Sequence, residues 1–213
     1  SLCYWASEYH IDGFRFDLMG VLDIETLNEA RKALLKINPD IIMYGEGWTG
    51  GESTLPESER GMKINAPRTP GIGMFSDDIR DAVKGHVFYM DELGFVNGAA
   101  DRGEELKQAV TCAKWAKSPM QSINYLSCHD NYTLWDRFII SNSHESEEMR
   151  IRMNKLAAAI LFTAQGIPFF LHGEEFARTK ISEADGAPVE NSYCSPLSVN
   201  AIDYDRAEQF SDL

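Results

Sequence analysis

Two short segments place carboxylates where they could do chemistry. In GFRFD (Gly13 to Asp17) an arginine and an aspartate alternate with apolar residues. Strand side chains alternate in direction, so Phe14, Phe16 and Leu18 share one face while Arg15 and Asp17 share the other. An arginine two residues away favours the ionised carboxylate, and an ionised carboxylate at the C-terminal end of a strand is what a nucleophile requires. A structural ion pair inside a sheet fits the segment equally well. The second segment is IIMYGEGW (Ile41 to Trp48), where Glu46 sits between two glycines on the face of Tyr44 and Trp48. Glycines admit close approach of a ligand, and a carboxyl group desolvated by aromatic neighbours suits a general acid. Sugar rings also stack on such aromatics through their C–H faces. A glutamate on a glycine-rich turn beside a core tryptophan is the competing account.

A third segment, CHDN, brings His129 and Asp130 to the C-terminal edge of another predicted strand. Adjacent strand residues point opposite ways, so Cys128, His129 and Asp130 do not form a nucleophile–base–orienter triad. Three strands that each end in an acidic residue would instead converge at the mouth of a barrel, where active sites are built.

These residues need a scaffold of strands and helices. The pattern predicts strands over Asp12–Leu18, Asp40–Trp48, Ser122–Asp130 and Pro168–Glu175, with a short one over Ile72–Asp77. Helices are predicted over Asp23–Asn38, Glu104–Lys117 and Glu145–Ala164. Most of Thr49–Ala100 and the tail after Glu175 read as loop. Two strands joined by a helix demand a parallel sheet, and the alternation fits either a doubly wound α/β sheet or part of a (β/α)8 barrel. No Gly-x-Gly-x-x-Gly or P-loop follows a strand, so nucleotide binding has no support. A whole barrel takes about 250 residues, so a chain of 213 residues with about five strands reads as part of one.

Composition narrows the partners. Net charge is 20 − 33 = −13, which argues against nucleic acid and anionic membrane. The longest apolar run, Leu156 to Leu171, is interrupted by Gln165, Gly166 and Pro168 and is too short to span a bilayer. Cysteines 3, 112, 128 and 194 show no Cys-x-x-Cys pair, so neither a zinc site nor a disulfide framework is indicated, and buried free thiols are expected. The cluster His172, Glu174 and Glu175 lacks metalloprotease spacing and is assigned to a barrel rim or substrate loop. The acidic stretch Ser76–Gly85 lacks the ligand spacing of a calcium loop. Trp5, Trp115 and Trp135 are expected in the core, His10, His86 and His144 at the surface, and Glu148 is expected to pair with Arg152 along a helix.

Taken together, DGFRFDLMG, YGEGW and SCHDN resemble three short motifs of the α-amylase superfamily of glycoside hydrolases. The longer stretches GFRFDLMG, MYGEGWTGG, HDNYTLWDR and NSYCSPLSVNAIDYDR resemble the type I pullulanases, starch-debranching enzymes within it. The resemblance implies a catalytic nucleophile at Asp17 oriented by Arg15, a general acid/base at Glu46, and a transition-state-stabilising carboxylate at Asp130. It also implies a sugar contact from His129, and Trp48 is expected to offer a second through its ring. It implies an α/β fold comprising about strands four to eight of a single (β/α)8 TIM barrel, with the first three strands and the superfamily's fourth motif missing. The implied activity is retaining hydrolysis of α-1,6 branch linkages in pullulan, starch or glycogen. An α-1,4-acting hydrolase and a non-catalytic carbohydrate-binding relative are the alternatives. No cofactor is required by the motifs; calcium occurs in the family, but no site for it is identifiable here. The partner implied is an α-glucan. The isolated chain is expected to be inactive and to self-associate through uncovered sheet edges. Nothing in the sequence assigns a compartment.

Overall fold

Asp23 opens the first long helix. Its Oδ1 accepts a hydrogen bond from the backbone N–H of Thr26 at 2.6 Å, satisfying one of the donors that a helix N-terminus leaves free. The helix, α2 (Ile24–Leu34), buries Ile24, Leu27 and Leu34 on one side. It connects β1 (Gly13–Phe16) to β2 (Ile42–Gly45), which pair in parallel with Gly13 opposite Ile42 and Phe16 opposite Gly45. β3 (Gly73–Ser76) continues the sheet in parallel beside β2. β4 (Ser122–Asn124) and β5 (Ile167–Pro168) complete five strands in the order β1-β2-β3-β4-β5.

The computed structural model describes all 213 residues. It divides into two compact units: 1–76 with 112–123 and 165–167, and 77–111 with 124–164 and 168–213. The first unit contains α1 (Leu2–Glu8), α2 and the first three strands. Its core is Met19, Leu27, Leu34, Ile41, Met43, Ile72 and Met74, with Phe14 and Phe16 packed against them. The apolar face of GFRF therefore lies where alternation predicts.

The second unit is helical. It contains α3 (Asp77–Lys84), α4 (Gly103–Val110), α5 (Leu134–Ser141), α6 (Glu147–Thr163), α7 (Leu197–Asn200) and α8 (Asp205–Gln209). Ile79, Val83, Leu126, Leu134, Phe138, Ala157 and Leu161 form its larger core, and Trp135, Phe176, Ala177 and Phe210 form a smaller one. No helix is long and apolar enough to cross a membrane.

Several elements depart from the sequence pattern. The strands are shorter than predicted. Leu18 takes a left-handed φ of 43°, ending β1 before Asp17. The predicted last strand yields instead to a helical turn over Glu174–Phe176, bracketed by Gly173 at φ 94° and Ala177 at φ 57°. The helix predicted to reach Lys117 stops at Val110. There Thr111 Oγ1 donates to the carbonyls of Lys107 and Gln108, and Cys112 turns to φ 94°. α3 fills a stretch read as loop, α5 forms where no element is predicted, and α7 and α8 break the tail. All four cysteines are free, as expected, but Cys3 and Cys194 are exposed rather than buried. Trp135 is in the core, whereas Trp5 is 43% exposed beside Tyr4 and Tyr9. Glu148 and Arg152 pair at 2.8 Å as predicted.

Candidate active site

The β1–β2 register positions the two principal carboxylates. Arg15 lies opposite Tyr44 and Phe16 opposite Gly45, so the pairing carried one residue further brings Asp17 alongside Glu46. Neighbouring strands run roughly 4.8 Å apart, which puts the two acids within reach of one group. That group is Arg15. Its Nη1 donates to Asp17 Oδ1 at 2.5 Å and its Nη2 to Glu46 Oε1 at 2.7 Å. The guanidinium is held from behind by Phe75, whose ring centre lies 5.7 Å from Cζ. The sequence pattern identifies the Arg15–Asp17 pair; it does not reveal that Arg15 also bridges to the next strand.

The two acids differ in surroundings. The Glu46 side chain is 4% exposed and that of Asp17 is 60% exposed. Glu46 Oε2 accepts the backbone N–H of Leu18 at 2.7 Å, a contact made possible by the left-handed turn at Leu18. Both oxygens of the buried acid are thus engaged, one by a guanidinium and one by an amide. Gly45 is required for this packing: a Cβ there would stand 2.5 Å from the Phe16 carbonyl oxygen and 3.0 Å from Met19. Such contact would push β2 off β1 and break the bridge.

Trp48 and Tyr44 both pack around Phe75, at 6.5 Å and 5.7 Å between ring centres. Lys63 Nζ lies 5.1 Å from the Trp48 ring centre, a cation–π contact. Neither Phe75 nor Lys63 is singled out by sequence spacing, since each gains its place only through the fold. The result is a half-buried acid pair sharing one arginine, beside an aromatic wall. An exposed and a sheltered carboxyl group side by side are the two parts that acid-assisted nucleophilic substitution at a sugar carbon uses.

His129 and Asp130 belong to the second unit. They lie five and six residues past Asn124, the last residue of β4, in a bend rather than at a strand edge, so strand alternation does not apply to them. His129 Nε2 is 3.6 Å from Asp130 Oδ2, and both side chains are about half exposed (54% and 52%). Burial pushes the neighbouring Cys128 thiol up from its ordinary pKa, which disfavours the thiolate a cysteine nucleophile would need. In the His172–Glu174–Glu175 cluster, Glu174 is buried and accepts the Ser127 hydroxyl, while His172 contacts Tyr204 at 3.2 Å. The burial of Glu174 differs from a simple rim placement, whereas His172 and Glu175 are exposed.

No protein-family model matches the chain. Pullulanase of Bacillus subtilis (strain 168) is 41% identical over 98% of this chain, which spans 29% of that relative. A crystal structure of pullulanase from Anoxybacillus sp. LM18-11, complexed with maltotetraose, superposes with a TM-score of 0.93 at 45% identity. It covers 99% of this chain and 30% of that one. The crystal structure of pullulanase type I from B. subtilis str. 168, complexed with maltose, gives 0.92 at 40% identity, again with 99% and 30% covered. The chain therefore spans less than a third of the relatives it matches, and its α/β architecture is that of a partial (β/α)8 barrel. Over nearly its whole length, this chain is homologous to a segment of the type I pullulanases.

Proposed function

We propose that this chain supplies the nucleophile and general acid of an α-glucan hydrolase that cleaves α-1,6 branch linkages with retention of configuration. The observation that carries the reading is the Arg15 bridge, which holds Asp17 and Glu46 side by side with different exposure. Retaining glycosidases place their two carboxyl groups about 5–5.5 Å apart; one carboxylate oxygen each of Asp17 and Glu46 lie within 4.8 Å of one another, which supports that reading. Asp17 attacks the anomeric carbon and the glycosidic C–O bond breaks. Glu46 gives its proton to the departing oxygen. Water then attacks the same carbon, Glu46 takes its proton, and the bond to Asp17 breaks, returning both acids to their starting states. Arg15 holds and aims the Asp17 carboxyl group, and Trp48 offers an apolar wall for a glucose ring.

Asp130 and His129 are assigned to transition-state stabilisation and sugar binding on the strength of the SCHDN motif. A carboxylate near an oxocarbenium-like centre stabilises the charge developing there. The debranching specificity, as opposed to α-1,4 cleavage, rests on the homology. The maltotetraose and maltose complexes of the relatives support a linear α-glucan as the ligand class. The chain is read as part of one catalytic barrel domain.

The test grafts residues 1–213 in place of the aligned segment of B. subtilis pullulanase and supplies the chimera with pullulan or amylose. Maltotriose from pullulan with amylose untouched supports the proposal. Maltose-series products from amylose with pullulan intact would reverse the linkage assignment. Binding without turnover, in a chimera whose parent is active, would make this a carbohydrate-binding relative.

A further inference from the structure

The second unit holds a buried polar cluster that the proposed chemistry does not use. Glu174 and Lys84 are 3% and 2% exposed, and Ser127 is 2% exposed. The Ser127 hydroxyl donates to Glu174 Oε2, whereas Glu174 Oε1 is buried with no hydrogen-bond partner. Leaving a carboxylate oxygen unpaired in a core costs free energy, so the acid is not there for packing alone. It is fixed from its own side: Asn154 Nδ2, on α6, donates to the Glu174 carbonyl at 3.3 Å, and the surrounding turn is closed by Arg178 N–H to the Gly173 carbonyl at 2.8 Å. Burial raises Glu174 to about 7, partly offset by the Ser127 hydrogen bond and by Lys84.

Ser127 stands two residues before His129 and three before Asp130. The same post-β5 segment reaches this loop a second time, since Lys180 Nζ donates to the His129 carbonyl at 3.1 Å. Lys180 is itself buried, and its backbone N–H donates to Asp136 Oδ2 at 2.9 Å. We propose that Glu174 is a positioning residue, clamping Ser127 so that the loop carrying His129 and Asp130 is held in one conformation, with Lys180 as the second anchor. Its catalytic consequence rests on the role proposed above for Asp130; the clamp itself does not.

Cys128, flanked by the clamp and His129, reports on this loop directly. Its alkylation by iodoacetamide would be followed by peptide mass spectrometry in the 213-residue chain without substrate, with Cys112 and Cys194 as internal references. Ser127→Ala and Glu174→Ala should raise the Cys128 rate about tenfold as local opening becomes easier. Glu174→Gln, whose amide oxygen still accepts the hydroxyl, should stay within about twofold of the parent. If Glu174→Ala does not fold, Ser127→Ala alone decides, because it removes a single oxygen. An unchanged Cys128 rate in Ser127→Ala overturns the proposal, and so does equal acceleration at Cys112, which would signal general loosening. In the pullulanase chimera, Ser127→Ala should lower kcat about tenfold with KM within about twofold. A chimera lacking all activity, with the thiol pattern as expected, would remove the proposed function and leave the clamp standing.

Discussion

Replacing Arg15 by Met tests whether the guanidinium holds Glu46 as the geometry indicates. The methionine keeps an apolar stem beside Phe75 and removes the charge. Glu46 is almost wholly buried and loses a charge-assisted hydrogen bond of 2.7 Å. Breaking a fully buried ion pair costs about 3–5 kcal/mol. Here Arg15 is 28% exposed and the Leu18 amide still serves the second oxygen, which lowers the expected cost to roughly 2–3 kcal/mol. Glu46→Gln should cost about 1–2 kcal/mol, because its amide group then faces the guanidinium donor to donor. The double variant relieves that conflict, so the cycle should show a coupling of about 1–2 kcal/mol in urea unfolding monitored by circular dichroism. Asp17→Asn serves as the contrast. Its 60% exposed side chain forms a surface-type pair and should cost under about 1 kcal/mol. Additivity of the Arg15 and Glu46 variants within about 0.5 kcal/mol would refute the bridge as an energetic unit.

Further outcomes follow from the same structure. Glu174 binds its proton more tightly when folded than when unfolded, so its contribution is full at low pH and is lost as pH rises from about 4.5 to about 7. Lys84, lowered to about 8 by burial, works oppositely: stability is regained as pH rises from about 8 to about 10.5. Urea midpoints across pH should therefore dip between 7 and 8, and Glu174→Gln should flatten the acid limb; an unchanged limb would count against the assignment. Phe138, wholly buried in the larger helical core, should cost about 3–5 kcal/mol when replaced by Ala, as read from thermal unfolding. Ile42 is 48% exposed although it lies in β2. The isolated chain should self-associate in light scattering and Ile42→Lys should weaken that association, whereas a sharp monomer peak for the parent would remove the expectation.

Local patterns carried much of the scaffold. The Asp23 cap, the α2 apolar face and the alternation in GFRF are short-range properties, and each is realised as the residue types dictate. The acids at 17 and 46 could be singled out because charged residues at the end of an apolar strand are conspicuous. What escaped depends on contacts distant in sequence. The Arg15–Glu46 bridge spans 31 positions and the Glu174–Ser127 bond 47, and neither has a local signature. α3 does carry a local signal, with Ile79, Ala82 and Val83 at helical spacing behind an acidic first turn. PFFLHGEE reads as strand by composition, but the turn at Gly173 and the burial of Glu174 override it.

The central claim is that Asp17 forms the covalent bond and Glu46 handles the proton. A fluorinated maltooligosaccharide with an activated leaving group slows breakdown of a glycosyl intermediate and allows it to be trapped. Treating the active chimera with that reagent and mapping the label by peptide mass spectrometry should place one glycosyl unit on Asp17, with the label absent in Asp17→Asn. A label on another residue, or initial release of the inverted anomer from pullulan without any trapped intermediate, would contradict the account.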